Sequence, residues 1–183
     1  MRTPFLVGST IYLRPLEPED GPSAARWFRE SEIGGRFASG LPMSEEAGRR
    51  LVEALTRDER QVGMGVARRA DDKLVAAIRL YSLQPQRRSG GYRLALDPAL
   101  RGAEKVAAEA TRLVLAYAFE TLNLNRIWLH DFAADQAARK RFAKLGFVEE
   151  GTLRQEAWRN GNYEDVVVMS MLRAEWDRLA RSR

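Results

Sequence analysis

Residues 92–119 read YRLALDPALRGAEKVAAEATRLVLAYAF, and their reading decides the fold. Tyr92 to Leu96 predicts an apolar strand, which Asp97-Pro98 ends. Beyond a charged loop, Val106, Ala110, Leu113, Val114, Tyr117 and Ala118 recur at three- and four-residue steps, the spacing of a helix with one buried face. A strand that feeds a helix through a loop containing Gly102 and small residues presents backbone N–H groups to an anion, and phosphate is the obvious guest. Arg101 and Lys105 add two cations to that end of the helix. The plainer reading is an ordinary strand-to-helix connection with solvated charges.

Working outward, Val62–Ala67 and Leu74–Leu83 predict a hairpin turned at Asp71-Asp72. After the polar connection Gln84–Gly90, Tyr92–Leu96 completes an antiparallel meander. Downstream, Asn123 and Asn125 mark the exit of the long helix. Arg126–His130 then predicts a strand parallel to Tyr92–Leu96, since a helical crossover joins parallel neighbours. Asp135 is placed to cap a short helix through Lys144, which Gly146 ends. A hairpin of Val148–Trp158 and Tyr163–Leu172 turns at Asn160-Gly161 and is closed by Glu175–Arg181. Upstream, Thr10–Leu13 predicts the first strand and Pro18-Glu19-Asp20 an acidic helix start. Gly34-Gly35 and Gly40 mark a loop, and Ser44 caps a second helix whose apolar stripe is Leu51, Val52 and Leu55. The sum is a mixed α/β fold, expected to occupy residues 1–183 as a single domain.

Composition narrows the chemistry. With 183 residues the chain is long enough to bury a core without staples. It contains no cysteine and one histidine, so a disulfide, a thiol nucleophile and a His/Cys zinc site are excluded, and no metal is expected. No apolar run suits a bilayer and the start MRTPFLVGST lacks a signal-peptide core, which makes the cytoplasm the expected location and a membrane an unexpected partner. The net charge of +5 is spread singly along the chain, without a basic helix interleaved with stacking aromatics. Nucleic acid is therefore not the expected partner; an anionic small molecule accounts for the excess equally well.

LVGSTIYLRPLEPED (6–20), YAFETLNLNRIWL (117–129) and AKLGFVEEGTLRQEAWRNGNYEDVVVMSMLRAEW (143–176) together resemble the GNAT acyltransferases. The likeness is to the Rim-type branch, which acetylates protein N-termini, polyamines, antibiotics and amino sugars, and it covers almost the whole chain. It implies a mostly antiparallel twisted sheet, flanked by helices and splayed between two central strands, with acetyl-coenzyme A as co-substrate in the wedge. A primary amine of a small molecule, amino sugar or protein N-terminus would attack the thioester directly. The pantetheine would pair along Tyr92–Leu96, with Leu94 and Leu96 beside it, and the pyrophosphate would sit on Arg101, Gly102, Ala103, Lys105, Val106 and Ala107. Asp135 and Phe142 would complete the cofactor contacts, and self-association into a homodimer stays open.

Several positions depart from the family's pattern. The phosphate loop has Ala103, Lys105 and Ala107 at the family's arginine/glycine, glycine and glycine/alanine positions, so that only small residues at 103 and 107 survive. A glutamate that relays the amine proton is replaced by Gly91, a tyrosine that protonates the thiolate by Phe142, an asparagine by Asp135, and two strand glycines by Arg79 and Arg93. Phenylalanine cannot donate a proton. Asp131, Glu149 and Tyr92 are the substitute catalytic candidates, followed by Glu150, His130 and Tyr81. Arg36, Arg87, Trp158 and Tyr163 are the candidate acceptor contacts, with Arg88 beside them. Two readings stay open: an N-acyltransferase that relies on positioning, and a catalytically impaired GNAT-like binding or regulatory module.

Overall fold

Strand β2 (Ile11–Pro15) is buried from Ile11 to Arg14 because antiparallel neighbours flank it, β1 (Leu6–Val7) on one side and β3 (Val62–Arg68) on the other. This computed structural model describes residues 3–29, 44–159 and 161–181. The chain divides into two compact units, Met1–Ser82 with Arg93–Val114, and Leu83–Tyr92 with Leu115–Arg183. The strand order is β1-β2-β3-β4-β5-β6-β8-β7, with β4 at Leu74–Gln84, β5 at Ser89–Leu96, β6 at Arg126–Phe132, β7 at Val148–Arg159 and β8 at Asn162–Leu172. Strands β5 and β6 are parallel, while β3–β4, β6–β8 and β7–β8 are antiparallel.

In the first unit, helices α1 (Gly21–Arg29) and α2 (Glu45–Arg57) pack on one another. Ser44 caps α2 as its sequence predicts, its hydroxyl accepting from the Ala47 N–H at 3.1 Å, and Val52 is fully buried beside Leu16. Helix α3 (Ala103–Ala116) buries Ala107, Ala110, Thr111 and Val114. Its Glu109 clasps the turn before β2, accepting from the Thr10 N–H at 2.9 Å and from the hydroxyls of Ser9 and Thr10. Burial raises the Glu109 pKa, but these hydrogen bonds together outweigh it and the net shift is downward.

In the second unit, β6 buries Ile127 and Leu129, and β8 buries Val167, Met169 and Met171. Asp135 caps α4 (Gln136–Lys144), its carboxylate accepting from the Ala138 N–H at 2.9 Å. Gly146 follows α4 at φ +100°, and its missing side chain leaves room for Leu179 of α5 (Arg173–Arg181).

Four expectations need correction. Strand β1 went unread because two residues carry no periodicity, and β2 extends to Pro15. Pro18–Asp20 is a 3₁₀ turn and the helix starts at Gly21, because Asp20 turns inward to Arg14. The parallel register joins Ser89, Gly90 and Gly91 to Arg126, Ile127 and Trp128, upstream of the expected Tyr92–Leu96. Glycine gives no hydrophobic signal, so the start of β5 read as a connection. At the far end of the long helix, Tyr117–Thr121 is a π-helical turn that buries Phe119 where Tyr117 was expected, and before it Leu115 is buried while Leu113 is half-buried.

Candidate functional site

The strand-to-helix loop of the first unit is built around Asp97. This buried residue donates its N–H to Val75 O at 2.8 Å and accepts from the Ala99 N–H at 3.0 Å and the Arg26 guanidinium at 2.9 Å. The turn is closed by the Leu100 N–H on Asp97 O, and Gly102 follows at φ +73°, a conformation that side chains disfavour. Nothing lies within 4 Å of where a Gly102 Cβ would stand, so a phosphate group has open space there. Arg101, Gly102 and Lys105 are exposed, and Ala103 opens α3 half-buried. Lys105 therefore points outward and does not fill the loop. Val106 and Ala107 bury their side chains, which leaves backbone as the means by which they could meet a ligand; Leu94 and Leu96 are half-buried. The loop fits a pyrophosphate: a helix N-terminus, an unobstructed glycine and two exposed cations.

On β4 of the same unit, Ile78 and Leu80 face the core, whereas Arg79 and Tyr81 alternate with them on the other face. Arg93 of β5 joins them. The guanidinium carbon of Arg79 is 5.4 Å from the Tyr81 ring centre and that of Arg93 is 5.7 Å from it, so two half-buried cations share one phenol. Burial lowers the Arg79 pKa and the Arg93 charge lowers it further. Burial raises the pKa of Tyr81, while the two arginines pull it back toward its ordinary value. Each cation–π contact contributes about 0.5–2 kcal/mol, which like-charge repulsion and desolvation oppose. Among the described residues Arg79 has no ion pair; Asp58, after α2, is the acid whose field reaches it.

In the second unit, Arg126, Trp128 and His130 occupy alternate positions of β6 and, with Gln84, Arg87, Ser89 and Val168, line a pocket of about 300 Å³. The rings of Trp128 and His130 lie 5.0 Å apart. Arg126 grips Glu150 through both carboxylate oxygens at 2.5 Å, and Ser170 donates to the same carboxylate at 2.7 Å. The Arg126 hydrogen bonds hold Glu150 below the usual carboxylate range despite some burial, with Ser170 assisting. Arg126 and Trp128 were missed as pocket residues; the alternation of RIWLHDF was the signal for both.

The remaining candidates fall into place individually. Tyr92 and Phe142 are buried and pack edge-on at 6.1 Å, and Phe147 completes the trio. Asp131 is buried and accepts from the Phe132 N–H at 2.9 Å. Glu149 is paired with Arg139 at 2.7 Å. Asp135 holds its helix start, which is a structural use of the carboxylate expected beside the cofactor. Trp158 and Tyr163 are both exposed and meet edge-on at 4.8 Å across the β7–β8 ladder. Arg87 lines the pocket, but Arg88 donates to Asn123 O at 2.7 Å and Asn123 Oδ1 at 2.6 Å, which makes it a brace for the end of the long helix. Arg36 lies outside the described residues.

This mixed α/β arrangement, with a parallel pair in a mostly antiparallel order and a helix-start loop after the first of the pair, has known counterparts. The acetyltransferase (GNAT) domain pattern matches residues 10–148, and the chain belongs to that family, whose members use acetyl-coenzyme A as acetyl donor. The probable N-acetyltransferase YjcK of Bacillus subtilis (strain 168) is 32% identical over 180 residues, covering 92% of this chain and 97% of the relative. The putative ribosomal N-acetyltransferase YdaF of the same organism is 29% identical, covering 93% and 96%. Among solved structures, spermidine N-acetyltransferase from Vibrio cholerae in complex with CoA and spermine superposes with a TM-score of 0.84 at 25% identity, covering 92% of this chain and 99% of that one.

Proposed function

We propose that this chain is an N-acyltransferase that moves an acetyl or other short acyl group from coenzyme A to a primary amine of a small molecule, amino sugar or protein N-terminus. The observation that carries the reading is the segment Asp97–Lys105, where an unobstructed positive-φ glycine and the exposed Arg101 precede α3 and the exposed Lys105 stands in its first turn. Arg101, Lys105 and the backbone from Gly102 hold the pyrophosphate. The co-substrate would supply an activated thioester; a neutral amine attacking its carbonyl carbon forms the amide C–N bond as the C–S bond breaks, and coenzyme A leaves as a thiolate that takes its proton from solvent. Proton removal falls mainly to solvent, because Glu149 and Glu150 are tied to Arg139 and Arg126, and Asp131 is buried. Holding reactants in line is then the chief catalytic device.

The experiment is calorimetry with coenzyme A on wild type and on Arg101→Ala/Lys105→Ala, followed by thiol release over a panel of amines. The double variant should bind about 1–3 kcal/mol more weakly, as expected when charge-assisted bonds are lost. Turnover should rise with pH as the acceptor amine deprotonates. Absence of coenzyme A binding by wild type would sink the proposal. The second reading, a binding module without turnover, is favoured by the placement of Phe142 in a buried aromatic trio that offers no proton from that position. Coenzyme A binding without thiol release on any amine would select it.

A further inference from the structure

We propose that Arg26 is a positioning residue for coenzyme A: from helix α1 it clamps Asp97 and thereby fixes the backbone of the loop that receives the pyrophosphate. The inference rests on the acyltransferase reading and deepens it, adding a residue that lies 71 positions upstream of the one it holds. Asp97 uses both of its carboxylate oxygens here. Oδ1 accepts from the Ala99 N–H at 3.0 Å, and Oδ2 accepts from Arg26 Nη2 at 2.9 Å. The first bond folds the chain back over Pro98, whose ring fixes one backbone angle of the turn. The second supplies the countercharge. Backbone bonds seat the same residue, its N–H on Val75 O of β4 at 2.8 Å and its carbonyl under the Leu100 N–H at 2.9 Å. Gly102 follows two residues later, and its carbonyl accepts from the Lys105 N–H at 3.0 Å to open α3. The path of the chain into Arg101, Gly102 and the helix start is therefore set at Asp97, and all of these residues belong to the first unit.

The two partners are unequally placed. The Asp97 side chain is 4% exposed and that of Arg26 45% exposed, so the carboxylate depends on the pair more than the guanidinium does. Among the described residues Arg26 is the one cation that reaches Asp97. Without it a carboxylate at that depth must take up a proton or turn toward water. Either response weakens the acceptor of the Ala99 N–H and loosens the turn that leads to Gly102. Arg26 is itself fixed by its helix: the adjacent Trp27 is buried, and α1 packs on α2. Because the guanidinium is half open to solvent, its removal leaves no hole in the core and acts on the loop through Asp97.

The test is calorimetry on the full chain with coenzyme A as the probe, using wild type, Arg26→Met, Arg26→Lys, Asp97→Asn, the Arg26→Met/Asp97→Asn double variant and Arg50→Met. Arg26→Met should weaken binding roughly tenfold, and Arg26→Lys should recover most of that loss because the charge is kept. Asp97→Asn retains an oxygen for Ala99 but gives up the charge that holds Arg26, so it should weaken binding as well. If the pair is the route, the double variant stays within about twofold of the weaker single variant. Hydrogen exchange reads the loop directly: the Ala99 and Leu100 amides should exchange faster in Arg26→Met, while those of β3 keep the wild-type rate. Arg50→Met removes an exposed ion pair with Glu46 on α2 and should leave coenzyme A affinity unchanged. A cooperative melt on each sample establishes the fold; should Asp97→Asn lack one, Arg26→Met, Arg26→Lys and Arg50→Met decide alone. Unchanged affinity in folded Arg26→Met, an equal loss in Arg50→Met, or no recovery in Arg26→Lys overturns the proposal. Losses that add in the double variant also overturn it, because Arg26 would then act on the coenzyme without Asp97. Absence of coenzyme A binding by wild type would instead strike the acyltransferase reading itself.

Discussion

Arg14 and Arg79 stand on strands of the same unit and are treated in opposite ways. Arg14 is almost inaccessible, and two of its nitrogens each reach an oxygen of Asp20 at 2.7 Å while the Glu17 N–H donates to the same carboxylate at 2.9 Å. The hydrogen bond to Asp20 raises the Arg14 pKa although burial opposes it. Burial lowers the Arg79 pKa, and the neighbouring Arg93 charge lowers it further. Both leave a buried Nε without a partner, so the unpaired nitrogen does not separate them. What separates them is the carboxylate. Asp20 anchors the Arg14 charge to the fold, whereas Arg79 holds no carboxylate among the described residues.

The sharpest break of this comparison is Arg14→Met. Removing the cation strands the buried Asp20 and should cost about 3–5 kcal/mol, read as a lower urea midpoint at unchanged slope. An effect below 1 kcal/mol would show that the pair is no more structural than Arg79. Next comes Phe142→Tyr, which places a hydroxyl among Tyr92 and Phe147; the expected result is a loss of about 1–3 kcal/mol in thermal stability with no gain in turnover. A faster enzyme of unchanged stability would instead make position 142 a site for a proton donor.

Smaller still is the pH dependence of the Arg126–Glu150 pair. Glu150 is depressed in the folded chain, so the unfolded chain takes up the proton first as pH falls. The stability it contributes is complete above the ordinary carboxylate pKa and is lost as pH drops through the lowered folded value. Partial exposure keeps the contribution at about 1 kcal/mol or less, and Glu150→Gln should flatten the acid limb of stability against pH. The smallest effect belongs to Arg79→Met, whose melting temperature should match or exceed that of wild type because repulsion with Arg93 is removed. A marked drop would mean that Arg79 is as structural as Arg14.

Most elements were legible because their signals are local. Ser44 and Asp135 announce helix starts through hydroxyl and carboxylate chemistry that acts within three residues, and both cap as expected. Gly146 and Gly161 mark turns at positive φ for the same local reason. What escaped depends on partners far along the chain. Asp20 reads as a helix-start charge until β2 brings Arg14 to it, and Arg88 reads as a loop cation until Asn123 arrives from 35 residues away. The grouping of Arg79 and Tyr81 with Arg93 needs the register of two strands, which alternation alone does not supply. Position 142 was visible as a replacement, but its burial against Tyr92 and Phe147 was not.

The π-helical turn at Tyr117–Thr121 has a further consequence. Widening the last turn sends the Leu122 N–H to Tyr117 O at 3.0 Å, and Phe119 O accepts from the Arg173 guanidinium at the start of α5. Trp176 of α5 stacks on the Phe119 ring at 5.9 Å and donates its indole N–H to Glu120 at 3.1 Å. The carbonyl and ring of Phe119 and the carboxylate of Glu120, on two adjacent residues of one short turn, thus act as a keyed socket for α5. Because a π turn uses five residues where an α turn uses four, deleting one residue here would rotate the teeth of that key past their slots while leaving the composition of the helix almost unchanged.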